Sequence, residues 1–152
     1  QASTSVDIGD ARLNLQKTQT GQAYTAMLID AFSGDGVPIH LLTLEALDIY
    51  LSRLAKDGVL VFHISNRYYD LLPVLKAAAN ARGLHAITNE VGAVETTRLK
   101  INPKVVVISR TNERFTKLRE LGWVDLKDHP TIRTTSPWTD DHVNVLGVLA
   151  FK

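Results

Sequence analysis

Apolar positions along this chain follow two alternating periods. Tyr24 to Ile29 is a short apolar-rich run that ends on a carboxylate, Asp30. Val59-Leu60-Val61-Phe62-His63-Ile64 and Lys104-Val105-Val106-Val107-Ile108-Ser109 are continuous runs rich in β-branched residues, the pattern of strands buried on both faces. Leu84-His85-Ala86-Ile87-Thr88 reads as a further strand. Between these runs, Leu44, Leu47, Leu51 and Leu54 recur at helical spacing behind Thr43, whose hydroxyl suits a helix start. Lys56-Asp57-Gly58 is predicted to stop that helix. Leu71, Leu72, Leu75 and Ala78 form the apolar face of a helix predicted over 68–81, with Pro73 in its first turn, where a missing N–H costs little. Residues 113–121 spell a shorter helix. Near the start, alternating Val6 and Ile8 predict the tail of a strand, Gly9 a tight turn, and Asp10 the cap of a short helix carrying Leu13.

This order of elements places the chain in the α/β class, as a Rossmann-like, mostly parallel sheet with flanking helices. The runs over 84–88 and 104–109, with no helix between them, predict an antiparallel hairpin at one edge. In open parallel sheets the ligand crevice lies beyond the carboxyl ends of the strands, so a strand that stops at Asp30 delivers that side chain to it. A dinucleotide fingerprint of the form G-x-G-x-x-G after the first strand does not occur: Gly34-Asp35-Gly36 follows a later strand and has no third glycine. Either the fold is of another kind or its first strands lie outside this sequence.

Composition narrows the classes further. With 152 residues, 45% hydrophobic and 22% charged positions and a net charge of +1, the chain reads as one globular domain, and no nucleic acid or other polyanion is implied as a partner. The absence of cysteine excludes disulfides, thiolate metal sites and a cysteine nucleophile, and fits a reducing compartment. No apolar run approaches the ~18 residues needed to span a bilayer. Gln1-Ala2-Ser3-Thr4-Ser5 has neither block of a signal peptide. The expected location is cytoplasmic, with any membrane helices outside this chain.

Four stretches carry a resemblance: Ile8-Gly9-Asp10-Ala11-Arg12-Leu13; Leu28-Ile29-Asp30-Ala31-Phe32-Ser33-Gly34-Asp35 with Pro38 and His40; Asp57 to Arg67; and Pro137-Trp138-Thr139-Asp140-Asp141. Together they resemble the spermidine synthase-like (polyamine aminopropyltransferase) branch of the class I S-adenosylmethionine-dependent transferase fold, over almost the whole chain. The resemblance implies a single domain over 1–152 that starts at the third or fourth strand of the family fold. The Gly-rich sulfonium-binding motif and the ribose-binding acidic residue would then lie upstream. It implies decarboxylated S-adenosylmethionine or S-adenosylmethionine as the donor substrate, a polyamine such as putrescine as acceptor, and no metal. Asp10, with Ala11 beside it, matches the acceptor of the adenine amino group. Pro38 and Ile39 match the stretch packed on the adenine. Asp30 matches the carboxylate that handles the amine, and Asp35 a second one at longer spacing. The family carries Gln-Gly or Gln plus Glu-Ser where this chain has His63-Ile64-Ser65-Asn66, and a Tyr pair where it has Thr139-Asp140-Asp141-His142. His63, Asp140 and Asp141 are accordingly the substrate-binding candidates, and the resemblance leaves the acceptor open.

Each candidate also has a plainer role. Asp30 can cap the loop after its strand, Asp10 its helix, and Asp35 can be a turn residue between glycines. His63 can be a hydrogen-bonded core histidine. Asp140 and Asp141 can cap the segment after Trp138. A metal site from these aspartates with His63 or His142 lacks recognisable ligand spacing. The competing functions are a methyltransferase on the same fold, and a non-catalytic domain that binds a ligand or self-associates through the open edge of the strand over 24–30.

Overall fold

The computed structural model describes residues 4–17, 23–30, 36–89 and 103–150. The helices are α1 (Ala11–Lys17), α2 (Leu44–Arg53), α3 (Leu72–Ala81) and α4 (Thr116–Glu120). The strands are β1 (Tyr24–Ile29), β2 (Leu54–His63), β3 (His85–Thr88), β4 (Val105–Ser109) and β5 (Val124–Asp125). They form one sheet in the order β1-β2-β4-β3-β5. β1 and β2 are parallel neighbours joined through α2, with Met27 opposite Leu60 and Ile29 opposite Phe62. β4 runs antiparallel to both β2 and β3, and β5 antiparallel to β3, so β1, β2 and β3 share one direction. β3 and β4 pair antiparallel as expected but not at the edge, and with three of the four pairings among the described strands antiparallel the sheet is mixed rather than mostly parallel. β4 takes the inner place beside β2, and the two-residue β5 forms the outer edge, which no periodic signal had marked.

Alternation along β2 explains why its run is apolar throughout. Leu60 and Phe62, followed by Ile64, enter the main core with Leu47 and Tyr50 of α2 and Val74, Leu75 and Ala78 of α3. Val59 and Val61 point the other way, beside a smaller cluster of Ile87, Val107 and Phe115. α2 starts as its cap predicts: the Thr43 hydroxyl accepts a hydrogen bond from the Ala46 N–H at 3.3 Å. Its far end passes into β2 at Leu54, so the helix stops ahead of Lys56-Asp57-Gly58, the expected stop, and those residues belong to the strand. The Arg110 guanidinium, arriving after β4, donates to the Leu51 and Ala55 carbonyls at 2.5 and 3.1 Å and so supplies partners at the helix end. Gly58 is needed at the crossing, because a Cβ there would stand 2.7 Å from the Leu54 side chain.

Two further expectations change. The strand tail at Val6 and Ile8 does not form: both side chains are 83% and 96% exposed, and among the described residues no strand flanks the outer edge of β1. The helix predicted over 68–81 begins only at Leu72. Asn66 Oδ1 accepts the N–H groups of Tyr68 and Tyr69, and Asp70 and Ala150 donate backbone hydrogen bonds to Val148 and Tyr68. Residues 66–70 are thus committed to an Asx turn and to the C-terminal segment rather than to a helix.

One clasp joins the two ends of the described chain. Arg12 on α1 donates to both oxygens of Asp140, at 2.8 and 2.6 Å, and to the His40 carbonyl at 2.9 Å. The Thr43 hydroxyl donates to Asp140 at 2.8 Å, and the Asp140 N–H donates to Glu45 at 3.0 Å. The Leu44 N–H binds the Trp138 carbonyl, so the turn at 138–142 sits against the start of α2.

Two outcomes follow from this packing. Leu60 is 0% and Leu28 64% exposed on adjacent strands. Leu60→Ala is expected to lower unfolding free energy by about 2–5 kcal/mol in urea titration, and Leu28→Ala to stay within about 0.5 kcal/mol of the parent. Arg12, with help from Thr43, lowers the Asp140 pKa from 3.8 to about 2. The folded value lies below the unfolded one, so this stabilisation is fully present above about pH 4 and is lost as pH falls toward about 2. The urea midpoint of Asp140→Asn, followed over that range, is expected to lose less on acidification than that of the parent.

Candidate functional site

The carboxyl ends of β1 and β2 build the first part of the site. Because Ile29 stands opposite Phe62 in a parallel pair, the next residues, Asp30 and His63, emerge side by side on the face opposite the main core. Asp30 Oδ1 lies 2.8 Å from His63 Nδ1. On its other side His63 Nε2 lies 2.9 Å from the Ser65 hydroxyl, which also accepts the Lys104 N–H at 2.8 Å. The Asp30 side chain is half exposed and that of His63 about one-third exposed. A carboxylate with one oxygen held by an imidazole and the remainder open to solvent can accept a proton or orient a cation.

A second cluster gathers the residues matched to the adenine site. Asp10 Oδ1 accepts the Leu13 N–H at 2.9 Å, which makes it the predicted cap of α1, and Oδ2 lies 3.3 Å from His40 Nε2. That backbone hydrogen bond, aided by nearby His40 and Arg12, holds the Asp10 carboxyl below its ordinary pKa. The contact with His40 brings the short 3-10 turn Ile39–Leu41, and Pro38 before it, alongside the start of α1. Pro38 and Ile39 are half-buried, while Ala11 is exposed.

The other candidates fall elsewhere. Both oxygens of Asp140 are engaged by Arg12, and Asp141, next to it, is exposed in the turn closed by Thr139 and His142. Asp35 lies outside the described residues. Among the described residues no cluster of three or more His, Asp or Glu side chains is placed to hold a metal ion, and no helix is long and apolar enough to cross a membrane. Ser65, His40 and Arg12 lie in the resembling stretches but have no role assigned by the resemblance. The signal for Ser65 was its spacing of two from His63, which puts both side chains on one side of an extended backbone.

No protein-family model matches the chain. A polyamine aminopropyltransferase of Vibrio vulnificus (strain CMCP6) is 39% identical over 70 residues, covering 44% of this chain and 23% of the relative. The chain thus spans under a quarter of that relative's length. Among solved structures, the crystal structure of MNMC2 from Aquifex aeolicus superposes with a TM-score of 0.46 at 19% identity, over 88% of this chain and 32% of the other. Over those 70 residues the chain is similar to a polyamine aminopropyltransferase, and its described residues form a mixed α/β fold with one five-stranded sheet.

Proposed function

We propose that this chain contributes the acceptor side of an aminopropyl-transfer site, in which decarboxylated S-adenosylmethionine is the donor and a polyamine such as putrescine the acceptor. The observation that carries this reading is Asp30, half exposed at the carboxyl end of β1 and fixed through one oxygen by His63. The relative named a polyamine aminopropyltransferase supports the choice of reaction.

The chemistry asks for such a carboxylate. Aminopropyl transfer is an in-line displacement at the carbon bonded to sulfur: the C–N bond forms as the C–S bond breaks, and the thioether leaves with the electron pair. The incoming amine is mostly protonated in water and must lose that proton to become a nucleophile. Asp30 orients the ammonium, takes its proton on the free oxygen, and balances positive charge on both reactants. The adenine of the donor fits against Asp10. A carboxylate offers about four lone-pair sites, and the Leu13 N–H and His40 leave room on Asp10 for an exocyclic amino group. Pro38 and Ile39 provide apolar surface beside it.

Calorimetric titration with methylthioadenosine tests the donor site, and product assays with putrescine test the reaction, with decarboxylated S-adenosylmethionine in one arm and S-adenosylmethionine in the other. Asp30→Asn is expected to lower turnover by about 10²–10⁴-fold, the usual contribution of a general base, with nucleoside binding unchanged. Unchanged turnover in that variant removes Asp30 from the reaction; absence of nucleoside binding removes the donor assignment.

A further inference from the structure

Asp30, His63, Ser65 and the Lys104 N–H lie in one line of hydrogen bonds of 2.8, 2.9 and 2.8 Å. Its polarity follows from the groups themselves. An ionised carboxylate only accepts, so His63 Nδ1 carries the hydrogen toward Asp30. A neutral imidazole then has its lone pair on Nε2, which must accept the Ser65 O–H. The Ser65 oxygen in turn accepts the Lys104 N–H, and Lys104 is tied to the end of β2 because its carbonyl accepts the Ile64 N–H at 2.8 Å. Every donor in the line has an acceptor.

We infer that His63 is a positioning residue, locked as its Nδ1–H tautomer by Ser65, that aims the Asp30 carboxylate by holding one oxygen and leaving the other for the amine. This rests on the reading of Asp30 as the amine-handling group. His63 itself keeps its proton throughout: the ammonium proton goes to the second oxygen of Asp30, and the Nδ1–H bond to the first persists. Stability alone does not account for the arrangement, since a pair this exposed to water contributes little to folding. Nor does a nucleophilic role suit Ser65, whose oxygen already accepts the Lys104 N–H while its hydrogen serves His63. What the line does supply is a fixed direction for Asp30, which otherwise ends a strand at the margin of the sheet. Fixed orientation of a proton acceptor is what in-line attack by an amine requires.

The tautomer can be read without any substrate, by nitrogen NMR of the full chain labelled at histidine. The Nδ1–H form is expected for His63, with a smaller share of it in Ser65→Ala. Kinetics supply the second readout. In His63→Asn the side-chain amide occupies the place of Nδ1 and can still donate to Asp30, whereas in His63→Gln it occupies the place of Nε2. The Asn variant is expected to retain most of kcat. The Gln variant is expected to lose about 10- to 100-fold in kcat, the range of a lost hydrogen bond to a charged group, with little change in the KM for donor. A dominant Nε2–H tautomer, or a Gln variant as active as the parent, overturns the positioning role. A parent with the Nδ1–H tautomer but no transfer activity leaves the positioning of Asp30 standing and overturns the aminopropyl reading instead.

Discussion

With Ile29 opposite Phe62 in a parallel pair, Asp30 and His63 have no choice but to emerge together. That register depends on the packing of β2, which buries Leu60 and Phe62 under two helices and lays Val59 and Val61 beside a second cluster. A slip of one residue would turn each apolar side chain of β1 to the wrong face, so the core that stabilises the sheet also fixes the geometry of the carboxylate. Stability and site are therefore set by the same strand pairing, although none of the core residues touches the chemistry.

The clasp of Arg12 on Asp140 serves a complementary purpose. α1 has no buried residue of its own, and a helix of seven residues is too short to persist unaided. Its position comes from half-buried Leu15, packed against the main core, from Arg53 donating to the Gln16 carbonyl, and from the bidentate ion pair and the donation of Arg12 to the His40 carbonyl. The same helix presents Asp10 beside His40, so the proposed adenine contact depends on an ion pair formed with the far end of the chain. Because its charges are partly exposed, this support weakens with salt and acid more readily than the β1–β2 register does.

Legibility in the sequence followed the range of each interaction. α2, β2 and β4 were readable because period and capping are local: Thr43 caps where it should, β4 is buried on both faces, and β2 buries Leu60 and Phe62 on one face and half-buries Val59 and Val61 on the other. Asp30 at a strand end was readable from the same pattern together with a general rule about parallel sheets. The start of α3 was misread because a side chain, Asn66, competes for the backbone N–H groups that helical spacing would have used. Val6 and Ile8 alternate like strand residues, yet alternation cannot supply a neighbouring strand. The partnership of Arg12 with Asp140 spans 128 positions and leaves no local trace. Ser65 fell between these cases: its spacing from His63 was visible, but only the backbone N–H of Lys104, 39 positions on, gives the hydroxyl a fixed direction.

The inner position of β4 bears on how the chain reaches this state. β4 is made after β2 and β3, yet it must lie between them, so β3 joins the sheet only through β4, once residues 105–109 are available. Pairing of this kind is non-local and slow to nucleate, and before it forms the inner edges of two apolar strands are open to other chains. The assembly of β1 and β2 around α2 has no such wait, since its partners are consecutive. The half of the sheet that carries Asp30 and His63 can thus form early during synthesis, with Ser65 locked last, when Lys104 arrives just ahead of the strand that closes the sheet.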